Sequence, residues 1–95
     1  MPVTPVMRFG NQLSFGQVSV GTLWHFWSHD NGQSWRGEGV MGRGNNVTDT
    51  FQPLVSISGE VRDNTLFFVA ETDQAQVWIA RQRAGQGWDN RRPGT

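Results

Sequence analysis

The sequence contains no cysteine, tyrosine or lysine, and these absences limit what the chain can do. Without cysteine there is no disulfide framework and no thiol nucleophile, so cysteine content does not indicate whether the protein works in an oxidising or a reducing compartment. All eight basic residues are arginine and they balance eight acidic residues. The longest basic run is Arg91-Arg92, which disfavours an electrostatic grip on nucleic acid or on an anionic membrane.

Long apolar runs are also missing, since none approaches the roughly 18 residues that a membrane-spanning helix needs. The start of the chain, at residues 1–5, lacks the basic and apolar regions of a signal peptide. The sequence therefore predicts a soluble protein of unassigned location and leaves secretion by a non-signal route open.

Aromatic residues and glycine are abundant instead, with five tryptophans, six phenylalanines and twelve glycines in 95 residues. A few large rings must therefore provide most of the core of a single domain, residues 1–95. Short apolar runs separated by polar turns predict an all-β protein. The predicted strands are 6–9, 12–20, 22–28, 35–41, 51–57, 61–62, 66–71 and 76–81. Residues 89–95 are polar and are expected to fray or to dock weakly.

Residues 28–35 have the pattern S-x-D-x-G-x-S-W and follow the aromatic run at 23–27. Asn31-Gly32 predicts a tight turn between two strands, because both residues tolerate positive φ. Asp30 and Ser34 can hydrogen-bond backbone N–H groups across that turn, and Trp35 would cover it. The segment resembles the Asp-box of sialidases and BNR-repeat proteins, which joins the outer two strands of a β-propeller blade. The resemblance implies a structural role.

An internal repeat appears when the chain is shifted by 54 residues. The shift superimposes Arg8 on Arg62, Leu13 on Phe67, Phe15 on Val69 and Trp24 on Trp78; with one deletion it also superimposes Trp35 on Trp88. The repeats span about 6–44 and about 51–92. Each has the size of a four-stranded propeller blade.

The segment Leu23-Trp24-His25-Phe26-Trp27 and the pair Gly87-Trp88 resemble the repeats of small bacterial and fungal propeller lectins. The resemblance implies two blades per chain and a ring completed by homo-oligomerisation, six blades in a trimer being expected. It also implies glycans as partners, either monosaccharides or the terminal sugars of glycoconjugates. The Arg and Glu of the fucose-binding members are not reproduced, because Leu13 or Phe67 and Trp24 or Trp78 occupy the nearest positions.

Six residues are candidate ligand-binding residues, because sugars stack on aromatic rings and bind planar polar groups through their hydroxyls. They are Trp27, Arg81, Arg8, Arg62, Trp24 and Trp78. For Trp24 and Trp78 the alternative is packing in the core or between blades, and for Arg8 and Arg62 it is a solvated face. Trp27 matches Arg81 in the repeat, which favours an exposed face or a groove at that position.

No catalytic, metal-binding or cofactor-binding residues are predicted. His25, expected to be a half-exposed strand residue, and His29 are not expected to converge on a metal, and the absence of tyrosine removes the sialidase nucleophile. The lead hypothesis is a multivalent lectin with shallow sites between blades. The alternative is a structural or protein-interaction propeller fragment, natural or engineered, that binds no sugar. A β-sandwich or barrel with a chance Asp-box hairpin is a third possibility.

Overall fold

The computed structural model describes residues 1–94 and contains two four-stranded antiparallel sheets. The first sheet consists of β1 (Met7–Phe9), β2 (Gln12–Ser19), β3 (Thr22–Ser28) and β4 (Arg36–Gly42). The second consists of β5 (Leu54–Arg62), β6 (Thr65–Thr72), β7 (Val77–Arg83) and β8 (Trp88–Arg91). Each sheet is an up-and-down meander, and residues 1–94 contain no helix. The prediction of an all-β chain with two four-stranded units is confirmed.

The observed strands depart most from the predicted ones at β5 and at residues 89–91. β5 continues through residues 58–60, where the sequence predicts a break between two shorter strands. The expected fraying of residues 89–95 is wrong for the first part of that segment, because β8 extends to Arg91. Asp89 accepts hydrogen bonds from Arg81, at 2.8 and 3.0 Å. Asn90 donates through its side-chain amide to the Val40 carbonyl at 3.0 Å, so β8 is anchored to both sheets.

The turn between β3 and β4 is closed by side-chain hydrogen bonds. The Asp30 carboxylate accepts from the Ser34 backbone N–H at 2.8 Å and from the hydroxyls of Ser28 and Ser34. The Ser28 hydroxyl oxygen also accepts from the Gly32 N–H at 2.9 Å. The Trp35 indole N–H donates to the Gly32 carbonyl at 3.1 Å. The expected bonding by Asp30 and covering by Trp35 are both present, whereas Ser28 supplies the second backbone acceptor that was expected of Ser34.

Two further hairpin turns use positive φ at both central residues, which matches the right-handed twist of the flanking strands. Asp63 and Asn64, with φ of 52° and 56°, suit this geometry. The other turn places Val20 at φ 51° before Gly21 at φ 77°. A β-branched residue is disfavoured in this region, and Val20 is 94% exposed, so no packing offsets the strain.

The sheets pack face to face over one shared core. The buried apolar residues are Phe9, Val18, Leu23, Val40, Met41, Leu54, Leu66, Phe68, Ala70 and Ala80. At the centre of the contact Gly16 of β2 lies under Phe68 of β6. A Cβ atom at Gly16 would lie 2.7 Å from the Phe68 ring and 2.8 Å from Ile57 Cδ1, so only glycine permits this approach.

In the first two strands of each sheet, the strand pairing matches residues that differ by one position from those matched by the sequence repeat. Phe9 and Gln12 close the turn between β1 and β2, and Arg62 and Thr65 close the corresponding turn between β5 and β6. Arg62 therefore corresponds to Phe9 and not to Arg8, which corrects their superposition.

Counted from the same turns, Leu13 corresponds to Leu66 and Phe15 to Phe68, rather than to Phe67 and Val69. The strand pairing keeps the match of Trp27 with Arg81 in the third strands. A shift of one residue exchanges the two faces of a strand, so this register decides which side chains are equivalent.

With this register each sheet has a front face and a back face. The front face carries Gly16, His25 and Trp27 in the first sheet and their counterparts Val69, Ile79 and Arg81 in the second. The back face carries Phe15, Trp24, Phe26 and Trp35 in the first sheet and Phe68, Trp78, Ala80 and Trp88 in the second.

The back face of the second sheet covers the front face of the first, as the contacts of Phe68 and Trp88 with His25 show. The packing is therefore head to tail. In the described chain, the front face of the second sheet and the back face of the first have no sheet against them. Trp24, at 38% exposed, and Val69, at 41%, lie on these two open faces.

We expect Val20→Asn to stabilise the fold by about 1 kcal/mol, because asparagine tolerates positive φ and valine does not. Urea unfolding at one fixed protein concentration measures the change. Val47→Asn is the matched control: Val47 is 58% exposed, has no positive φ, and should change the unfolding free energy little. Equal effects at both sites, or a loss of stability at position 20, would contradict the strain argument.

Candidate functional site

A groove of about 270 Å³ lies where the front face of the first sheet meets the end of β7 and the turn that follows it. Trp27 forms its aromatic wall, Gln12 and Glu38 supply polar groups from the first sheet, and Gln82 supplies one from the second. Phe9, Gly10, Asn11, His25, Ala84 and Gly85 complete the lining. The groove thus combines an aromatic ring with planar amide and carboxylate groups.

A buried polar network supports this groove. His25 Nδ1 lies 2.8 Å from Glu38 Oε2, and His25 Nε2 lies 2.9 Å from Ser14 Oγ. Because a carboxylate only accepts, we assign the imidazole proton to Nδ1, which leaves the Ser14 hydroxyl to donate to Nε2. The Gln12 amide donates to Ser14 Oγ at 3.0 Å, and the Trp88 indole N–H donates to Glu38 at 3.2 Å. Glu38 therefore joins the two sheets.

The pKa of His25 is lowered from its usual 6.5. Burial is the main cause, because it disfavours the charged imidazolium; the hydrogen bond and charge of Glu38 act in the opposite direction. His25 is only 1% exposed, which corrects the expectation of a half-exposed strand residue. Its ring also stacks on Trp27, with centroids 5.2 Å apart and an interplanar angle of 21°.

The order Ser14–His25–Glu38 has the hydrogen-bond connectivity of a hydrolase triad. The Ser14 side chain is fully buried, however, and its hydroxyl oxygen already accepts from Gln12. A substrate carbonyl cannot reach that oxygen without displacing packed strands. In this conformation the network orients Glu38 and the His25–Trp27 stack, and it does not present a nucleophile.

Trp27 is half-buried and also lines a neighbouring concavity of about 380 Å³, with His29, Asp30, Ser34 and Arg36. The hydrogen bonds from Ser34 and Ser28 lower the pKa of Asp30 to about 2. Asp30 therefore presents a carboxylate over the whole physiological range. One face of the Trp27 ring is thus stacked on His25, and the polar loop groups lie in the neighbouring concavity.

Arg81 and Arg62 lie together in a different concavity of about 490 Å³, on the front face of the second sheet. The hydrogen bond between Arg81 and Asp89 is the main cause that lowers the pKa of Asp89, and Arg91 adds to it. Trp27 and Arg81 thus occupy equivalent positions of the two sheets but line separate cavities. Arg62 also forms an exposed ion pair with Glu60 at 3.0 Å.

The remaining candidate residues lie elsewhere. Arg8 is exposed at the edge strand β1 and lines neither the groove nor the concavity of Arg81. Trp24 lies on the open back face of the first sheet, over Gly39. Trp78, at the equivalent position of the second sheet, packs against the core, and its indole N–H is buried without a partner among residues 1–94.

Three residues of the site, Ser14, Glu38 and Gln82, were not singled out from the sequence. The importance of Ser14 and Glu38 depends on strand register. His25 pairs with Glu38 across β3 and β4, and Ser14 pairs with Trp27, two residues from His25, across β2 and β3. A polar residue at an alternating apolar strand position is the one sequence signal that marks His25.

No known protein family matches the chain, and neither curated proteins nor solved structures yield a match. Within residues 1–94, no three His, Asp or Glu side chains are grouped closely enough to hold a metal ion. The same residues include no helix with the length and apolar character for crossing a bilayer.

We expect the protein to lose stability as the pH falls below about 6.5. The lowered pKa of His25 means that the unfolded chain takes up this proton first, so acid favours unfolding until the folded state is protonated too. The slope should approach about 1.4 kcal/mol per pH unit for one proton. Urea unfolding between pH 5 and pH 8 tests this.

His29→Gln is the control variant, because His29 is exposed and its side chain hydrogen-bonds the side chain of Gln12 at 3.0 Å. It should keep the pH slope, whereas His25→Gln should remove it and lower stability at neutral pH. If His29→Gln removed the pH slope and His25→Gln did not, the assignment of the slope to His25 would be wrong.

Proposed function

We propose that this protein is a carbohydrate-binding lectin whose two sheets act as blades of a β-propeller ring completed by further copies of the chain. The observation that carries the sugar-binding proposal is the groove between the sheets, where the half-buried ring of Trp27 stands beside Glu38 and Gln82. An aromatic face beside planar polar groups complements the C–H face and the hydroxyls of a pyranose.

Several features favour recognition over catalysis. The groove is small and open between two sheets, and its polar groups are amides and one carboxylate engaged by His25 and Trp88. Such a rigid set of groups can orient hydroxyls without moving. Weak binding at one groove would gain strength from repetition around a ring, because linked sites act by multivalency.

The head-to-tail packing supports the ring. In a heterologous contact two different faces meet, so each added unit leaves one face of each kind open until a ring closes. The open back face of the first sheet carries Phe15, Phe26 and Trp35, and the open front face of the second carries Val69 and Ile79. Open apolar faces of this kind mark association surfaces. Three chains would give six blades.

The structural or protein-interaction alternative shares this assembly and differs only in lacking a sugar. It would hold if the ring forms and no glycan binds. The same open apolar faces favour it, whereas Trp27 and its polar neighbours favour the lectin. Sugar binding therefore has to be measured separately from assembly.

For assembly, we expect light scattering to give the mass of three 10.7 kDa chains. Val69→Asp places a charge on the open front face of the second sheet and should dissociate the ring while the sheets stay folded. Val47→Asp, at another exposed valine in the β4–β5 connection, is the control and should leave the mass unchanged. A stable 10.7 kDa particle for the unaltered chain would end the ring proposal.

For binding, we expect a glycan array to show hits that a free monosaccharide inhibits. Trp27→Ala should weaken that binding about three- to tenfold, because it removes one stacking surface, and Trp27→Phe should restore much of it. Phe51→Ala removes a ring that is 78% exposed and lies outside the groove, so it should have no effect. Sugar binding that Trp27→Ala leaves unchanged would contradict the proposed groove. An intact ring that binds no sugar at millimolar concentration would favour the protein-interaction alternative.

A further inference from the structure

The concavity on the front face of the second sheet has a different chemistry from the groove. It is larger, at about 490 Å³, and three guanidinium groups line it, those of Arg62, Arg81 and Arg83. Asp63 and Asp89 are the carboxylates in the lining. Asp89 is already engaged by arginine, so the cavity has positive groups in excess of the negative groups that remain to balance them.

Arg81 is fixed in position before any ligand arrives. Its Nε and Nη2 atoms donate to Asp89 Oδ2 at 3.0 and 2.8 Å, and Asp89 also accepts from Arg91. Two of the guanidinium nitrogens are thereby held, and the remaining N–H groups stay available. A guanidinium held in one orientation loses little entropy when it binds a planar anion.

The guanidinium of Arg83 has no hydrogen bond or ion pair with any of residues 1–94. It pairs with Thr65 in the strand ladder, while Arg81 pairs with Phe67, so the four side chains share the front face. Phe67 is half-buried, and it lines the concavity together with the arginines. An uncompensated guanidinium next to an aromatic surface is a suitable place for an anion attached to an apolar face.

The equivalent positions of the first sheet lack this charge. Strand pairing matches Arg81 with Trp27, and Phe67 with Ser14. The groove therefore offers an indole where the concavity offers a guanidinium. Equivalent positions of the two sheets therefore form two surfaces of different chemistry.

We propose that the concavity around Arg81 and Arg83 binds a carboxylated saccharide, with its carboxylate on the guanidinium of Arg83 and its ring on Phe67. This inference rests on the proposed lectin function and assigns a ligand class to its second site. Arg62, at the rim, contributes charge while it keeps its ion pair with Glu60. The groove at Trp27 retains its preference for uncharged sugar faces.

The test is calorimetric titration with three probes at low salt: glucuronate, methyl glucoside and acetate. Glucuronate carries both the ring and the carboxylate, whereas each of the others carries one of them. We expect Arg83→Gln to weaken glucuronate binding at least tenfold, because it removes a charge-assisted pair. Arg43→Gln makes the same change on an exposed loop outside both cavities and should leave the affinity within about twofold, since distant surface charges are screened.

Equal losses for Arg83→Gln and Arg43→Gln would overturn the site, because they would indicate a general charge effect. Acetate that binds as tightly as glucuronate would overturn the saccharide, and glucuronate that fails to bind the unaltered protein at about 10 mM would overturn the whole inference. Trp27→Ala distinguishes this failure from that of the groove: it should reduce neutral-sugar binding and leave glucuronate binding unchanged. Circular dichroism of Arg83→Gln establishes that the sheets are intact.

Discussion

The contact between Gly16 and Phe68 sets the relation of the two sheets. Because Gly16 has no side chain, the Phe68 ring can descend onto the first sheet, where any Cβ atom would stand 2.7 Å from it. The ring then reaches His25 and stacks on Trp88, with centroids 6.1 and 5.8 Å away. The spacing and the offset of the sheets follow from this single close approach, and so does the shape of the groove at their edge.

The polar network depends on that same approach, because it is complete only when both sheets are in place. Glu38 belongs to the first sheet but accepts from Trp88 of the second as well as bonding His25. Sliding the second sheet over the first would leave the indole N–H of Trp88 in the contact without its acceptor, Glu38, which is costly in an apolar environment. The network therefore makes the relation of the sheets specific, whereas the apolar core alone would tolerate sliding. The polar wall of the groove is rigid for this reason.

The sequence predicted the strands, the β3–β4 turn and the pairing of Trp24 with Trp78 as equivalent positions, because these depend on local turn chemistry and alternating polarity. It missed the register of β6, where Leu66, Phe67, Phe68 and Val69 are all apolar. In such a run either face of the strand could be the buried one, so alternating polarity cannot show whether Phe67 or Phe68 points into the core. The buried role of His25 was missed for a related reason: it needs Ser14 and Glu38 opposite it, and only the ladder brings these together.

The same register bears on how the proposed ring would close. If a second copy repeated the packing within the chain, Phe15 would take the place of Phe68 and Val69 the place of Gly16. The valine side chain would then occupy the space that the phenylalanine ring needs, so the contact between chains cannot copy the contact within one. It would have to be wider or shifted. A ring built this way has two alternating kinds of junction, and the symmetry that closes it acts on whole chains rather than on single sheets.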